Sequence, residues 1–260
     1  MKPAPPVLKR QRSPAAAAGP RLARVLNGLV QRLTVDLLDI PSNPHNAVHR
    51  LRGRTKKLGS LLALAAGCTQ RSERDEIKAV IRRIKNAFAE MRDREVILAT
   101  AEKAGVRKHL EEGKTAAPVD TAPLLAAAGA LSSLMSTLPV HALAWKDIRD
   151  RCRHNEHQAR QRWLKARDNP AAEHLHACRK KTKALYFQLV FLRLLKGGRK
   201  RKIKLTRRLA HHLGEHHDLH LLRLELKKRA CLTAGASRKI DKHQEAELHH
   251  ITRLGHKLYP

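Results

Sequence analysis

Two short groups of cationic residues have a spacing that would place them on one side of a helix. Both follow the pattern H-x-x-R-x-x-x-K, and their members are His49, Arg52 and Lys56 in the first group and His176, Arg179 and Lys183 in the second. Side chains at positions i, i+3 and i+7 of an α-helix share a face. Guanidinium and ammonium groups donate charge-assisted hydrogen bonds to phosphate and carboxylate oxygens. Each group therefore predicts an anion-binding surface.

The apolar residues around each group predict that it lies on an amphipathic helix. In both copies they recur at alternating steps of three and four residues, which forms one stripe, and the cations lie more than a third of a turn away from it. Each helix is thus expected to face the core on one side and to present cations on another. The predicted core stripes are Val48, Leu51, Thr55, Leu58, Leu62 and Ala65 in the first copy and Leu175, Cys178, Thr182, Leu185, Leu189 and Leu192 in the second.

The two groups belong to a longer internal repeat. Residues 48–58 align with residues 175–185, and an Asn-Pro pair precedes both segments. Residues 82–97 align with residues 207–222 at an offset that differs by two residues. Two matches in the same order predict a duplicated helical unit of about 120 residues, a size that suits a four-helix bundle. The second alignment pairs Arg82 with Arg207, Arg83 with Arg208, Glu90 with Glu215 and Asp93 with Asp218.

The second aligned segment extends the predicted anion-binding surface. Asp93 and Asp218 lie within basic stretches and are expected to pair with and orient neighbouring Arg or His side chains. Gly53 stands where the second copy has Lys180, and Ala210 stands where the first copy has Lys85, so the two halves are expected to contribute unequally. The further candidates in and around these segments are Arg82, Arg83, Lys85, Arg92, Lys180, Arg207, Arg208, His211 and His217.

Helical periodicity continues through nearly every segment from Arg21 onward, and no convincing strand alternation interrupts it. The predicted fold class is all-α, with two four-helix bundles related by pseudo-two-fold symmetry. Residues 1–20 are rich in Pro and Ala, contain no acid and predict a disordered basic tail. Residues 21–260 are expected to form one domain, with a first repeat at about 21–104, a linker at about 105–122 and a second repeat at about 123–258.

The charge balance predicts a polyanionic partner. The 260 residues include 54 Lys and Arg but only 23 Asp and Glu, which gives a formal charge of +31. Such self-repulsion destabilises a compact state unless a polyanion or counterions relieve it. Nucleic acid, an anionic membrane and a phosphate polymer are the candidate classes. Aromatic residues make up only 3% of the chain, which argues against binders that stack bases on aromatic rings.

Other classes of function find little support in the residues. The four cysteines are scattered, as is typical of a reduced cytosolic chain, and no signal peptide or apolar run near the ~20 residues of a membrane span is evident. Several histidines form i,i+4 pairs at 211–220, but no zinc-binding pattern, P-loop or nucleophile elbow accompanies them. We therefore expect no enzyme activity, no metal site and no cofactor.

The paired H-x-x-R-x-x-x-K helices, each followed by a basic helix that ends in R-D or H-D, resemble the CHAD domain, the conserved histidine α-helical domain. The resemblance covers about residues 20–258. It implies two four-helix bundles with pseudo-two-fold symmetry, and inorganic polyphosphate bound by basic residues in the groove or pore between the halves. It also implies a binding module rather than an enzyme, located in the cytoplasm and in some members on polyphosphate or polyhydroxyalkanoate storage granules.

The resemblance assigns polyphosphate binding, position by position, to the candidates already named. Nucleic-acid binding is the alternative, since the charge alone would allow it. A duplex binder usually presents one recognition helix or a flexible basic arm, whereas equivalent cations on two helices favour a central cavity for a narrow, flexible polyanion. A membrane or granule surface is a third candidate, although no helix combines a basic face with bulky aromatic anchors.

Overall fold

The computed structural model describes residues 17–110 and 119–260. These residues form nine α-helices and three short 3-10 helices without a β-strand, which confirms the all-α class. Most of the predicted tail (1–20) and the middle of the predicted linker (105–122) lie outside the described residues. The helices are α1 Ala18–Asp39, α2 Pro44–Leu62, α3 Arg71–Ala87, α4 Ala89–Lys103, α5 Ala122–Thr137, α6 Trp145–Asp168, α7 Ala172–Lys196, α8 Lys200–Lys228 and α9 Ala234–Leu258.

The helix boundaries follow local signals in most places. Helix α2 begins at Pro44 directly after Asn43, because proline fits the first turn of a helix, where its missing N–H is not needed. Helix α1 begins at Ala18, within the range that the sequence assigned to the tail. Segment 71–104, predicted as one long or two broken helices, forms two. They meet at Phe88, which has φ −113° and ψ 20° and is fully buried.

The contacts between helices divide them into two groups. Helices α1, α2, α3 and α5 pack on one another, and α6, α7, α8 and α9 pack in succession. The sequence analysis placed α5 in the second repeat, yet it packs on α1 and α3. Helix α4 packs on α8, and α2 packs on α7. The two helices that carry the repeated cation groups are therefore direct neighbours.

Both predicted core stripes are confirmed. All twelve side chains are buried, including Thr55 and Thr182, which occupy equivalent positions in the two copies. The buried Thr55 hydroxyl has a hydrogen-bond partner, because it donates to the Arg52 carbonyl oxygen at 3.0 Å. At the contact between α2 and α7, the Gln188 amide donates to the Ser60 carbonyl oxygen at 2.8 Å in a buried position. Burial of each Leu contributes roughly 1.5–3 kcal/mol, so the stripes fix the rotation of α2 and α7 and thereby the direction of their cations.

One segment of the described residues, Ala122–Ala142, is long and apolar enough to cross a membrane by length and composition alone. The sequence analysis did not single it out. The α-helical part ends at Thr137 and spans about 24 Å at 1.5 Å per residue, short of the ~30 Å hydrocarbon core. Helix α5 also packs on α1 and α3 with Leu124, Leu131 and Met135 buried. These contacts are typical of a core helix.

Replacing Gly255 with alanine is expected to destabilise the fold. Gly255 is buried in α9, where an added Cβ would lie 1.7 Å from Nε1 of Trp163, itself 1% exposed on α6. The indole has no free space to move into, so we expect a loss of about 1–3 kcal/mol in the free energy of unfolding, measured by urea denaturation. Gly129→Ala on the exposed side of α5, where a Cβ meets nothing within 4 Å, is the control and should gain up to about 1 kcal/mol. Equal effects of the two substitutions would contradict the packing argument.

Candidate polyanion-binding groove

A groove with a volume of about 660 Å³ lies between α2, α3, α7 and α8. Each of the four helices contributes at least one basic side chain to its walls. Seven of the predicted residues line it: His49 and Lys56 from α2, Lys85 from α3, Arg179, Lys180 and Lys183 from α7, and His211 from α8. The two repeated cation groups therefore face one shared cavity rather than two separate surfaces.

The remaining predicted residues fall into two sets. Six interact electrostatically with lining residues without being part of the cavity wall, and the other two lie exposed on α3 and α8. The six are Arg52, Arg82, Arg92, His176, Arg207 and His217. The two exposed residues are Arg83 and Arg208, neither of which is part of the cavity wall.

Two cations of α2 do not face the groove, because a buried acid holds them. Asp36 on α1 is 1% exposed and accepts a hydrogen bond from Nε of Arg50 at 2.9 Å and one from Nε of Arg54. Arg50 also donates to Asp39. Helix α2 thus has three faces, namely an apolar stripe, an ion-paired face and a groove face. Sequence reasoning missed the second face, because Asp36 lies on another helix.

Burial, and to a smaller extent repulsion between neighbouring positive charges, lowers the pKa values of the groove cations. Partial desolvation, followed by the charges of Arg179 and Arg52, lowers the pKa of Lys56 to about 8. Burial also lowers the pKa of Arg179 and of Arg52. Desolvation lowers the pKa of Lys183, whose Nζ lies 5.4 Å from the centroid of the Phe187 ring. Burial and neighbouring positive charges therefore both disfavour the charged forms of the groove cations.

A pair of histidines adjoins the cavity between α7 and α8. The rings of His176 and His217 lie 4.5 Å apart, and Nδ1 of His176 is buried without a hydrogen-bond partner. Desolvation and the charge of Arg179 lower the pKa of His217 to about 3. Desolvation and the charge of Lys180 lower the pKa of His176. Both imidazoles are thus expected to be neutral near pH 7.

The two aligned acids of the repeats meet at a single arginine, as expected from their position in basic stretches. Arg92 on α4 donates to Asp93 at 2.6 Å, and its other terminal nitrogen lies 3.7 Å from Oδ1 of Asp218 on α8. Burial raises the pKa of Asp218, although Arg179 and Arg92 oppose the shift. Glu215, which lines the groove, accepts from Lys103 at 3.2 Å. These acids orient cations from different helices around the groove.

Small residues keep the groove open. Gly59 and Ala63 line it from α2 and the 3-10 turn that follows, Ala184 lines it from α7, and Ala210 and Gly214 line it from α8. Sequence reasoning did not identify them as site residues, apart from noting that Ala210 aligns with Lys85. The sequence signal that could have identified these small residues is their helical spacing, which places them on the same side of each helix as the cations. Larger side chains at these positions would fill the space that a ligand needs.

The fold and the site together define a class of protein. It is an all-helical protein with a cation-lined groove between its two groups of helices. A family model of the CHAD domain matches residues 24–227, so the chain belongs to the CHAD domain family. The match includes all four helices that line the groove. No curated protein and no solved structure matches the chain.

Proposed function

We propose that the protein binds inorganic polyphosphate in the groove between α2, α3, α7 and α8. The CHAD domain family is associated with polyphosphate binding. The observation that carries the proposal is the convergence of both H-x-x-R-x-x-x-K groups on one cavity, where their cations repel one another. A flexible chain of phosphates would relieve this repulsion along the whole groove.

The chemistry of the groove fits a phosphate polymer. Polyphosphate offers oxygens and charge but no bases, so a binder needs cations rather than aromatic platforms. Arg179 supplies a forked donor that matches phosphate oxygens, while Lys56 and Lys180 act as point charges. Release of condensed counterions adds to the affinity, as it does for nucleic acids. Asp218 attracts Arg179 and Lys56 without offsetting the excess of positive charge.

The proposal includes a duplicated architecture. In this arrangement α1, α2, α3 and α5 form one four-helix bundle, α6–α9 form the other, and α2 corresponds to α7. Its support is the equivalent burial of Thr55 and Thr182 and of Leu58 and Leu185, together with the contact between α2 and α7. An approximate two-fold would then relate the two walls of the groove.

The role that follows is that of a binding module without catalytic activity, located in the cytoplasm and recruited to polyphosphate or polyhydroxyalkanoate granules. Incubation of the protein with polyphosphate and analysis of chain length would test the first part. Unchanged chain length is expected, and release of orthophosphate by purified protein would overturn it. Co-sedimentation with isolated granules would test the second part.

Calorimetric titration with long-chain polyphosphate and with duplex DNA of matched charge tests the proposed ligand. At ~150 mM salt, where non-specific phosphate contacts weaken, we expect tight binding of polyphosphate and weak binding of DNA. Equal affinity for the two polymers would favour the alternative of a non-specific nucleic-acid-binding protein. The formal charge of +31 is the observation that supports this nucleic-acid-binding alternative.

Polyphosphate affinity is expected to fall as the pH rises above about 8, because Lys56 has a pKa of about 8 in the empty groove. A bound polyanion favours the protonated amine and raises this pKa. Above the free-state value, binding must therefore take up a proton, so the affinity decreases by up to about tenfold per pH unit until the bound-state pKa is reached. Calorimetry across this range at constant ionic strength measures the effect.

Lys56→Arg is the matched control for the pH dependence, since a guanidinium stays charged throughout. The variant should bind with nearly constant affinity over the same range, and an unchanged slope would assign the proton to another group.

On the acidic side, bound phosphate favours the charged forms of His176 and His217 and raises their pKa values. Proton uptake by these histidines is therefore expected to make binding tighter at pH 5.5 than at pH 8, which calorimetry at constant ionic strength measures.

Gly53→Lys is expected to strengthen polyphosphate binding by roughly fivefold, because it adds one phosphate contact at the position equivalent to Lys180. A Cβ at Gly53 meets nothing within 4 Å, and the residue is exposed between His49 and Lys56. Gly129→Lys on α5 is the matched control, since it adds the same charge and the same helix propensity away from the groove. Equal gains in affinity would show that net charge alone governs binding.

A further inference from the structure

A second cationic cleft lies outside the groove, where α6 meets the first turn of α8. It consists of two adjoining cavities of about 170 and about 400 Å³, and both are lined by Arg153, Glu156 and Lys202. The smaller cavity adds Arg149 and Arg199, and the larger one adds Arg160. This far-face cleft, defined by Arg149, Arg153, Glu156, Arg160, Arg199 and Lys202, has five cations around a single acid.

The ion pairs of the far-face cleft leave much of its charge uncompensated. Lys202 pairs with Glu156, while Arg149 and Arg153 share Asp150 at 2.9 and 3.5 Å. Arg160 donates to a backbone oxygen of Pro260 at 3.1 Å. The single carboxylate of Asp150 cannot balance the two guanidinium groups of Arg149 and Arg153. An anion in the cleft would complete their hydrogen bonding.

The α7–α8 turn holds a cation in an unfavourable backbone conformation beside the far-face cleft. Arg199 has φ 61° and ψ 12°, a left-handed conformation that disfavours residues with a Cβ. Its guanidinium carbon lies 5.9 Å from the centroid of the Trp145 ring, and Nζ of Lys196 lies 5.1 Å from the same centroid. The indole thus fixes two cations side by side. Backbone strain of this kind is often retained where it positions a functional group.

The far-face cleft and the groove lie on opposite sides of α8. Lys202 faces the cleft and His211 faces the groove, nine residues apart. At about 100° per residue, this separation corresponds to two and a half turns and places the two side chains on opposite faces. A bound molecule in the groove therefore cannot fill the cleft by a local shift. The two cationic sites can be occupied independently.

We propose that the far-face cleft is a second phosphate-chain site, through which one molecule bridges two polyphosphate segments. The proposal rests on the proposed function, because it takes the groove to hold the first segment. The cleft lacks the aromatic platforms that bases require, since its walls contain one tyrosine and no other aromatic side chain besides His157. Its cations surround cavities of about 400 and about 170 Å³, a size that suits a few phosphate groups. Bridging would condense long chains into a network.

Titration with tripolyphosphate and light scattering with long-chain polyphosphate test the proposal on the full chain. The wild-type protein should bind two molecules of tripolyphosphate and should raise the scattering of long chains. Arg153→Gln/Arg199→Asn, in which asparagine tolerates the left-handed conformation, should bind one molecule and lose the scattering. Arg238→Ala/Lys242→Ala removes the same charge from the exposed side of α9 and should behave as the wild type.

Each outcome separates the cleft from the groove. Equal stoichiometry in the wild type and the cleft variant, or equal loss of scattering in the cleft variant and the α9 control, overturns the second site. If the groove variant Arg52→Ala/Arg179→Ala retains both bound molecules while the cleft variant loses one, the proposed groove is wrong and the cleft stands. Circular dichroism measures whether all variants keep the same helix content. If the cleft variant loses helix as well as scattering, the loss is assigned to misfolding. The experiment is then repeated with Arg153→Lys/Arg199→Lys, which retains the charge and should restore bridging.

Discussion

Replacing Arg52 and Arg179 together with alanine is expected to lower the affinity for polyphosphate at least about 100-fold, since charge-assisted hydrogen bonds contribute roughly 1.5–3 kcal/mol each. Arg179 lines the groove, and the charge of Arg52 contributes, after desolvation and Arg179, to the lowered pKa of Lys56. The two residues occupy aligned positions in the two H-x-x-R-x-x-x-K groups. Their joint loss would remove the forked donor of the α7 wall and the guanidinium that adjoins Lys56 on α2.

The same double substitution is expected to leave the fold intact or to stabilise it. Arg52, Arg92 and Arg179 repel one another in the empty groove, and burial lowers the pKa of both residues to be replaced. Removal of two of these charges relieves the repulsion, while Arg92 remains beside Asp218. Thermal unfolding and calorimetry on the same preparation therefore separate a binding defect from a folding defect.

Arg238→Ala/Lys242→Ala on α9 provides the charge-matched control for the groove variant. Both side chains are exposed, so their removal should weaken binding only a few-fold through the long-range field. If the α9 control and the groove variant lose the same affinity, charge alone attracts the polymer and the assignment of the site fails. If the groove variant binds normally, the ligand does not contact the repeated cations.

The periodicity of the sequence predicted the core better than it predicted the packing between helices. The stripes on α2 and α7 are buried because a helix with one apolar face has only one favourable rotation, and this preference is local. The packing of α5 on α1 and α3 is not local. Its apolar surface would suit either group of helices, and the linker before it falls partly outside the described residues. Order along the chain therefore did not reveal its neighbours.

The candidate groove shows the same limit at the level of single residues. The alignment of His49 with His176 and of Lys56 with Lys183 could predict two related cation faces, because spacing and residue type are visible in the sequence. Which cations remain free depends on acids supplied by other helices. Arg50 and Arg54 are arginines of the same helix as Arg52, yet Asp36 on α1 pairs with them. Nor could the sequence show that desolvation would lower the pKa of Lys56, since that effect depends on the assembled walls.

Replacing Asp36 with alanine is expected to cost about 3 kcal/mol of unfolding free energy, near the lower end for breaking a buried ion pair because both guanidinium groups reach solvent. Asp36 is 1% exposed on α1 and accepts a hydrogen bond from Arg50 at 2.9 Å. It accepts two more from Arg54, one of them at 3.3 Å. Its loss removes the acceptor that Arg54 uses against the buried surface of α1 and leaves Arg50 with Asp39 alone. Urea denaturation followed by circular dichroism measures the cost.

Asp39→Ala is the matched control, because Asp39 pairs with Arg50 alone and is 35% exposed. An exposed pair of this kind contributes up to about 1 kcal/mol, so the difference between the two variants isolates the buried acid. Polyphosphate affinity of Asp36→Ala, measured well below its denaturation midpoint, is expected to change less than that of the groove variant, since Arg50 and Arg54 lie on another face of α2. Equal destabilisation by the two substitutions would mean that the ion-paired face does not fix α2. The direction of the groove cations would then depend on the apolar stripe alone.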